Sequence, residues 1–140
     1  MAGQPYRPKS EALEPYFTPE SGIDSHSKAF AFILGSLYGK MMQVQAARGV
    51  NVGANALTWL KRLTLSGKDL PALYIKVREK LLAYETEGNA TVRELVGELG
   101  ELGAALGDRI ELDETQANYY LLLGQSLATR IMPTKNHNND

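Results

Sequence analysis

KAFAFILGSLYGK, residues 28–40, decides how this chain folds. Phe30, Ile33, Leu34 and Leu37 recur with the 3.6-residue period of a helix, and Met41 and Val44 extend the stripe. The apolar run between Lys28 and Lys40 is too short for the ~20 residues of a membrane span, so it reads as a core helix. Gly35 and Gly39 stand four apart inside it. Glycine in a helix interior costs up to ~1 kcal/mol against alanine. A compensating close approach of a second helix backbone is therefore expected. LLGQSLA, residues 122–128, repeats the pattern with Gly124 and Ala128. The expectation is that the two helices cross at these small residues.

Working outward, five helices are predicted. The first begins at Asp24 or Ser25, good N-cap types, and ends near Gly49. The second covers roughly 53–65, with Leu57, Trp59, Leu60 and Leu63, and stops at Ser66-Gly67. The third opens with Asp69 as N-cap and Pro71 in its first turn, where a missing N–H costs nothing. It would bury Leu73, Tyr74, Val77, Leu81 and Tyr84 before Gly88. The fourth runs from Thr91 to Leu106 on a stripe of Val92, Leu95, Val96, Leu99, Leu102 and Leu106, with Gly107 as the stop. The fifth opens with Asp113-x-x-Gln116, a capping box, and continues through Tyr120, Leu123, Leu127 and Ile131 to Pro133. No segment alternates with the period of two of a half-buried strand.

The expected fold class is all-α: a single-domain bundle of about five helices over residues 23–132. Residues 1–22 carry Pro5, Pro8, Pro15 and Pro19 and read as a flexible proline-rich arm, docking through Tyr16 and Phe17. Residues 133–140 read as a disordered polar tail. With 44% hydrophobic residues, the 140-residue chain can fill one core. The absence of cysteine excludes disulfides and thiolate chemistry. With no apolar leader in its first 27 residues, the chain is expected to be soluble and cytoplasmic, with no membrane partner.

The overall charge of −1 conceals a division. Residues 28–80 hold nine Lys/Arg against Asp69 and Glu79, a net +7. Residues 81–114 hold Arg93 and Arg109 against nine acids, a net −7. Well-mixed surfaces favour solubility, so such a split points to two different neighbours. The basic half suits a phosphate backbone, with Lys40, Arg48, Lys61, Arg62, Lys68, Lys76 and Lys80 as candidate nucleic-acid-binding residues. The bland alternative is an ordinary solvated face. Trp59 and Tyr38 are the candidates for base stacking, although Trp59 among leucines reads more readily as core. The acidic half suits a basic protein surface or the basic half of an adjacent copy. Glu94, Glu98 and Glu101 form a row opposite the apolar stripe of their helix, read as solvated or partner-facing rather than metal-binding.

Catalytic signatures are missing. His26 and His137 have no serine or carboxylate constellation nearby, and neither H-E-x-x-H, a P-loop nor G-x-S-x-G occurs. The chain is expected to be no enzyme and to need no cofactor.

Four elements in order carry a family resemblance: Phe30-x-x-Ile33-Leu34-Gly35-x-Leu37-x-Gly39-Lys40, Leu60-Lys61-Arg62-Leu63, Leu95-Val96-Gly97-Glu98-Leu99-Gly100, and Tyr120 through Ala128. Together, over about residues 24–132, they resemble the C-terminal helical region of the large subunit of type I-B CRISPR–Cas effector complexes (Cascade). In several subtypes that region is also made separately and acts as the small subunit. The resemblance implies a non-catalytic small subunit present in several copies. Its partners would be the large subunit, the backbone subunits, neighbouring copies of itself and target DNA, single-stranded in the R-loop. Guide RNA would be an indirect partner. The alternative is a purely architectural protein–protein adaptor with little nucleic-acid contact.

Overall fold

Ser25 starts the first helix: its Oγ accepts from the Lys28 backbone N–H at 3.1 Å. The computed structural model describes residues 6–47, 66–83, 90–107 and 109–132. Four α-helices lie within them: α1 (His26–Ala47), α2 (Leu70–Ala83), α3 (Ala90–Leu106) and α4 (Glu114–Ile131). They correspond to the first, third, fourth and fifth predicted segments. The predicted helix at 53–65, with Trp59, lies outside the described residues, as do Gly49, Tyr84 and Gly88. The described residues contain no strand, and the protein is an all-α single-domain bundle.

α1 is the central element. Every residue from Ala29 through Tyr38 is buried, so this helix has no solvent face over almost three turns. The one-sided stripe expected from its spacing is too narrow. Phe32, Ala31 and Ser36 on the remaining faces are buried as well. A helix apolar all round belongs inside a bundle. Ser36 is tolerated there because its Oγ donates to the Phe32 carbonyl at 3.0 Å.

α4 crosses α1 at the glycines. A Cβ built on Gly35 would stand 2.1 Å from the Leu121 carbonyl oxygen, and one on Gly124 would stand 2.1 Å from the Phe32 oxygen. At Gly39 the neighbours would be the Ala128 Cβ at 2.8 Å and the Gln125 oxygen at 2.9 Å. Here two helix backbones touch with no side chain between them, as the repeated small residues predict. The inner face of α4 is correspondingly made of Ala117, Leu121, Gly124 and Ala128, with Tyr120 and Ile131. Leu123 and Leu127, expected in the core, are only partly buried at its edge.

α2 and α3 cover another side of α1. Leu73, Val77 and Leu81 point inward from α2, and Leu95, Leu99 and Leu102 from α3. The Phe30 ring meets the Tyr74 ring edge-on at 6.2 Å, and it would lie 3.0 Å from a Cβ on Gly103. The Tyr74 hydroxyl donates to the Val96 carbonyl at 3.3 Å, tying α2 to α3. α3 ends at Gly107, whose φ of 61° is the left-handed cap that glycine tolerates.

Local chemistry sets the remaining starts. Asp113 and Gln116 form the expected capping box: Gln116 N–H donates to Asp113 Oδ1 at 2.8 Å, and Asp113 N–H to Gln116 Oε1 at 3.2 Å. Asp69 plays a different part from the N-cap expected. It closes a 3-10 turn, Gly67–Asp69, by accepting from the Ser66 N–H at 2.9 Å. α2 begins one residue later, with Pro71 in its first turn. Gly67 N–H donates to the Leu112 carbonyl at 2.9 Å, so this turn is pinned to the segment leading into α4.

The described part of the proline-rich segment is docked. It forms two 3-10 turns, Glu11–Tyr16 and Pro19–Ser21. Leu13 is fully buried, and Tyr16 and Phe17 pack against Phe32 with ring centroids 6.4 and 5.5 Å away. Tyr120 Oη donates to the Gly22 carbonyl at 3.1 Å.

Candidate nucleic-acid interface

The seven cations singled out in the sequence are not placed alike. Lys68 sits on the pinned 3-10 turn, and Lys76 and Lys80 follow on α2; all three are exposed. Four residues apart, Lys76 and Lys80 share one flank of the helix. Arg78 lies on another flank, its guanidinium 5.7 Å from the Tyr74 ring centroid, which holds the side chain along the helix surface. The exposed cations of this region therefore occupy one short segment, and Gly67 and Tyr74 fix that segment to the rest of the bundle.

Lys40 does not stand with them. It is only 4% exposed. Its ammonium donates to the Met132 carbonyl at 3.2 Å and to Gln43 Oε1 at 3.3 Å. Lying on the face of α1 that turns inward beside the end of α4, it holds the carbonyl of Met132, the residue that caps that helix. Its place in the sequence, three residues beyond Leu37 and seven beyond Ile33 and so on the apolar stripe, was the available signal. Arg48, Lys61 and Arg62 lie outside the described residues. Lys28 is engaged by Asp24 at 2.8 Å; each holds the other's charge, the lysine raised and the aspartate lowered in pKa. Tyr38, a stacking candidate, is in the core, where burial pushes its phenol up to about 12. Of the adjacent tyrosines, Tyr120 faces inward and Tyr119 is exposed.

The acidic side also departs from expectation. Glu98, read as part of a solvated or partner-facing row, is 4% exposed. Its carboxylate gathers the docked N-terminal segment. Oε1 accepts from the Ser10 N–H at 2.9 Å, while Oε2 accepts from the Lys9 N–H at 2.8 Å and from the Tyr6 hydroxyl. Lys9 pairs with Glu101, and Ser10 Oγ donates to Glu94 Oε1 at 3.3 Å. Burial, with the Glu98 hydrogen bond next, raises the Tyr6 phenol strongly. The row is thus taken up by the chain's own residues 6–10. No helical periodicity could announce this, because the partners are some ninety residues away and two of them are backbone N–H groups. Exposed acids remain at Glu111, Asp113 and Glu114.

Among the described residues, no group of three or more His, Asp or Glu side chains could hold a metal ion. No described helix is long and apolar enough to cross a membrane. What the surface offers is charge: a basic segment at 66–80 and acids leading into α4.

No curated protein and no solved structure matches the chain. The family model described as CRISPR-associated protein TM1802 (cas_TM1802) C-terminal domain matches residues 3–139, almost the whole sequence, and so the chain belongs to that CRISPR-associated family.

Proposed function

We propose that this chain is a non-catalytic subunit of a CRISPR RNA-guided surveillance complex, acting as the small subunit of a Cascade assembly of type I-B. In this role several copies bridge the large subunit and the guide-RNA-bound backbone subunits. They stabilise target DNA, single-stranded in the R-loop, by sequence-independent contacts to phosphates. The observation that carries the reading is the exposure of Lys68, Lys76 and Lys80 on one anchored segment of a chain from a CRISPR-associated family. Arg48, Lys61 and Arg62 extend the candidate track in sequence; Lys40 is not part of it.

The test is Lys68→Glu, Lys76→Glu and Lys80→Glu together, in the assembled complex. Assembly persists, while affinity for target DNA falls about tenfold or more and the salt dependence flattens by up to about three phosphate contacts. Target affinity equal to wild type at both low and moderate salt overturns the assignment. It favours the architectural adaptor, for which the burial of Lys40 speaks.

A further inference from the structure

The turn that begins the basic segment is built onto the acidic one. Gly67 N–H donates to the Leu112 carbonyl at 2.9 Å, and a Cβ on Gly67 would stand 2.0 Å from the Ile110 oxygen. The next residue is the exposed Lys68. Leu112 is buried, while Glu111 and Asp113 on either side of it are exposed, as is Glu114. Three carboxylates therefore gather at the N-terminal end of α2, with Arg109 as the one cation in segment 109–114. Backbone contacts fix this juxtaposition, so it does not depend on where long side chains swing. Asp69, also on the turn, is occupied by the Ser66 N–H at 2.9 Å and the Ser66 hydroxyl at 3.2 Å. Among the described residues, no ion pair joins Lys68 to Glu111, Asp113 or Glu114.

Further along, α2 is different. Lys76 and Lys80 share one flank and Arg78 lies on another, with Glu79 the one acid on the helix. The surface thus passes from cationic to anionic over about 15 Å of helix. A single strand and a duplex meet such a surface differently. A single strand brings one row of phosphates, which can follow the lysines and turn away before the acids. A duplex brings a second row, rigidly tied to the first across a groove about 6 or about 12 Å wide. Screening sets in over about 8–10 Å, so carboxylates beside Lys68 still act on a second row at that spacing. There the duplex faces like charge, and such repulsion rejects a wrong partner as effectively as contacts select the right one.

We propose that Glu111 and Glu114, with Asp113, form an acidic border at the Lys68 end of the basic segment that favours single-stranded over duplex nucleic acid. The acids hold no ligand; they exclude the second phosphate row. The inference deepens the proposed contact with single-stranded target DNA and rests on it.

The measurement is fluorescence anisotropy of the full chain with a labelled single strand and with the duplex of the same sequence, at low and moderate salt. Wild type binds the single strand more tightly. Glu111→Gln with Glu114→Gln, which leaves the Asp113 cap intact, tightens the duplex by about threefold to tenfold and the single strand by less, so the ratio of the two affinities falls. Glu11→Gln with Glu14→Gln, the same change of net charge on exposed residues of the N-terminal segment, leaves that ratio as in wild type. If the first double variant melts below wild type, Glu111→Gln alone replaces it and shifts the ratio in the same direction. Lys68→Glu, Lys76→Glu and Lys80→Glu together separate two kinds of failure. Where this variant loses single-strand binding and the Glu111–Glu114 variant keeps wild type's ratio, the border is overturned and the basic track stands. Where the lysine variant binds like wild type, or wild type binds neither form at low salt, the track itself falls and the border with it. A Glu11–Glu14 variant that shifts the ratio as far as the Glu111–Glu114 variant also overturns the border.

Discussion

Gly35 and Gly97 both sit inside helices, and only one of them is needed there. A methyl at Gly35 would run into the Leu121 carbonyl, so the two backbones must part to admit it. A methyl at Gly97 meets nothing within 4 Å. Gly35→Ala is expected to destabilise the protein by about 2 kcal/mol or more, as overpacking does. Gly97→Ala is expected to stabilise it by roughly 0.5–1 kcal/mol through helix propensity and a less free unfolded chain. Thermal unfolding followed by circular dichroism reads both. Equal effects would mean that the crossing does not depend on backbone contact. The same residue-level chemistry separates Lys40 from Lys80. Both are lysines in a basic half, yet one ammonium is hydrogen-bonded inside the fold and the other is exposed.

At the scale of elements, residues 6–22 behave as part of the bundle through one buried carboxylate. Glu98 accepts from two backbone N–H groups and one phenol, which is work a carboxylate can do with both oxygens. Glu98→Gln keeps the shape but turns a donor toward donors. Leaving such groups unsatisfied costs about 1–3 kcal/mol. The expected outcome is faster amide exchange at Lys9 and Ser10 and early proteolytic cleavage before Leu13, with α1 to α4 still protected. Unaltered exchange in that segment would show that the aromatic contacts of Tyr16 and Phe17 hold it unaided. The Asp113–Gln116 capping box and the Gly107 stop act differently: they set where a helix begins or ends from residues at the boundary itself, and so were readable in advance.

For the whole molecule, burial of phenols makes alkaline pH a global probe. Tyr38 is held at about 12 against an ordinary 10.0, and Tyr6 is raised too. Above about pH 10 an unfolded chain releases these protons while the folded chain keeps them. Their contribution is present in full below that pH and is lost as pH climbs toward the folded values. Guanidinium midpoints are expected to fall between about pH 9 and about pH 11, and Tyr38→Phe to shrink that fall relative to wild type. A variant whose midpoints fall as steeply as wild type's would place the alkaline sensitivity elsewhere. The division of charge also belongs to this scale. The strong split along the chain survives as a basic segment on α2, but part of its acidic half is spent internally on residues 6–10.

Periodicity, caps and glycine spacing were enough to establish an all-helical bundle, the borders of α3 and α4, and the crossing of α1 on α4. These are local or pairwise-repeated signals, and the backbone obeys them wherever the helices end up. The KAFAFILGSLYGK stretch announced a buried helix but not a central one, since burial on every side depends on how many neighbours arrive. The tertiary structure alone decided that Lys40 and Glu98 are inside and that Lys68, Lys76 and Lys80 are exposed. A side chain's charge is written in the sequence; whether it meets water or a backbone group from ninety residues away is settled only by packing.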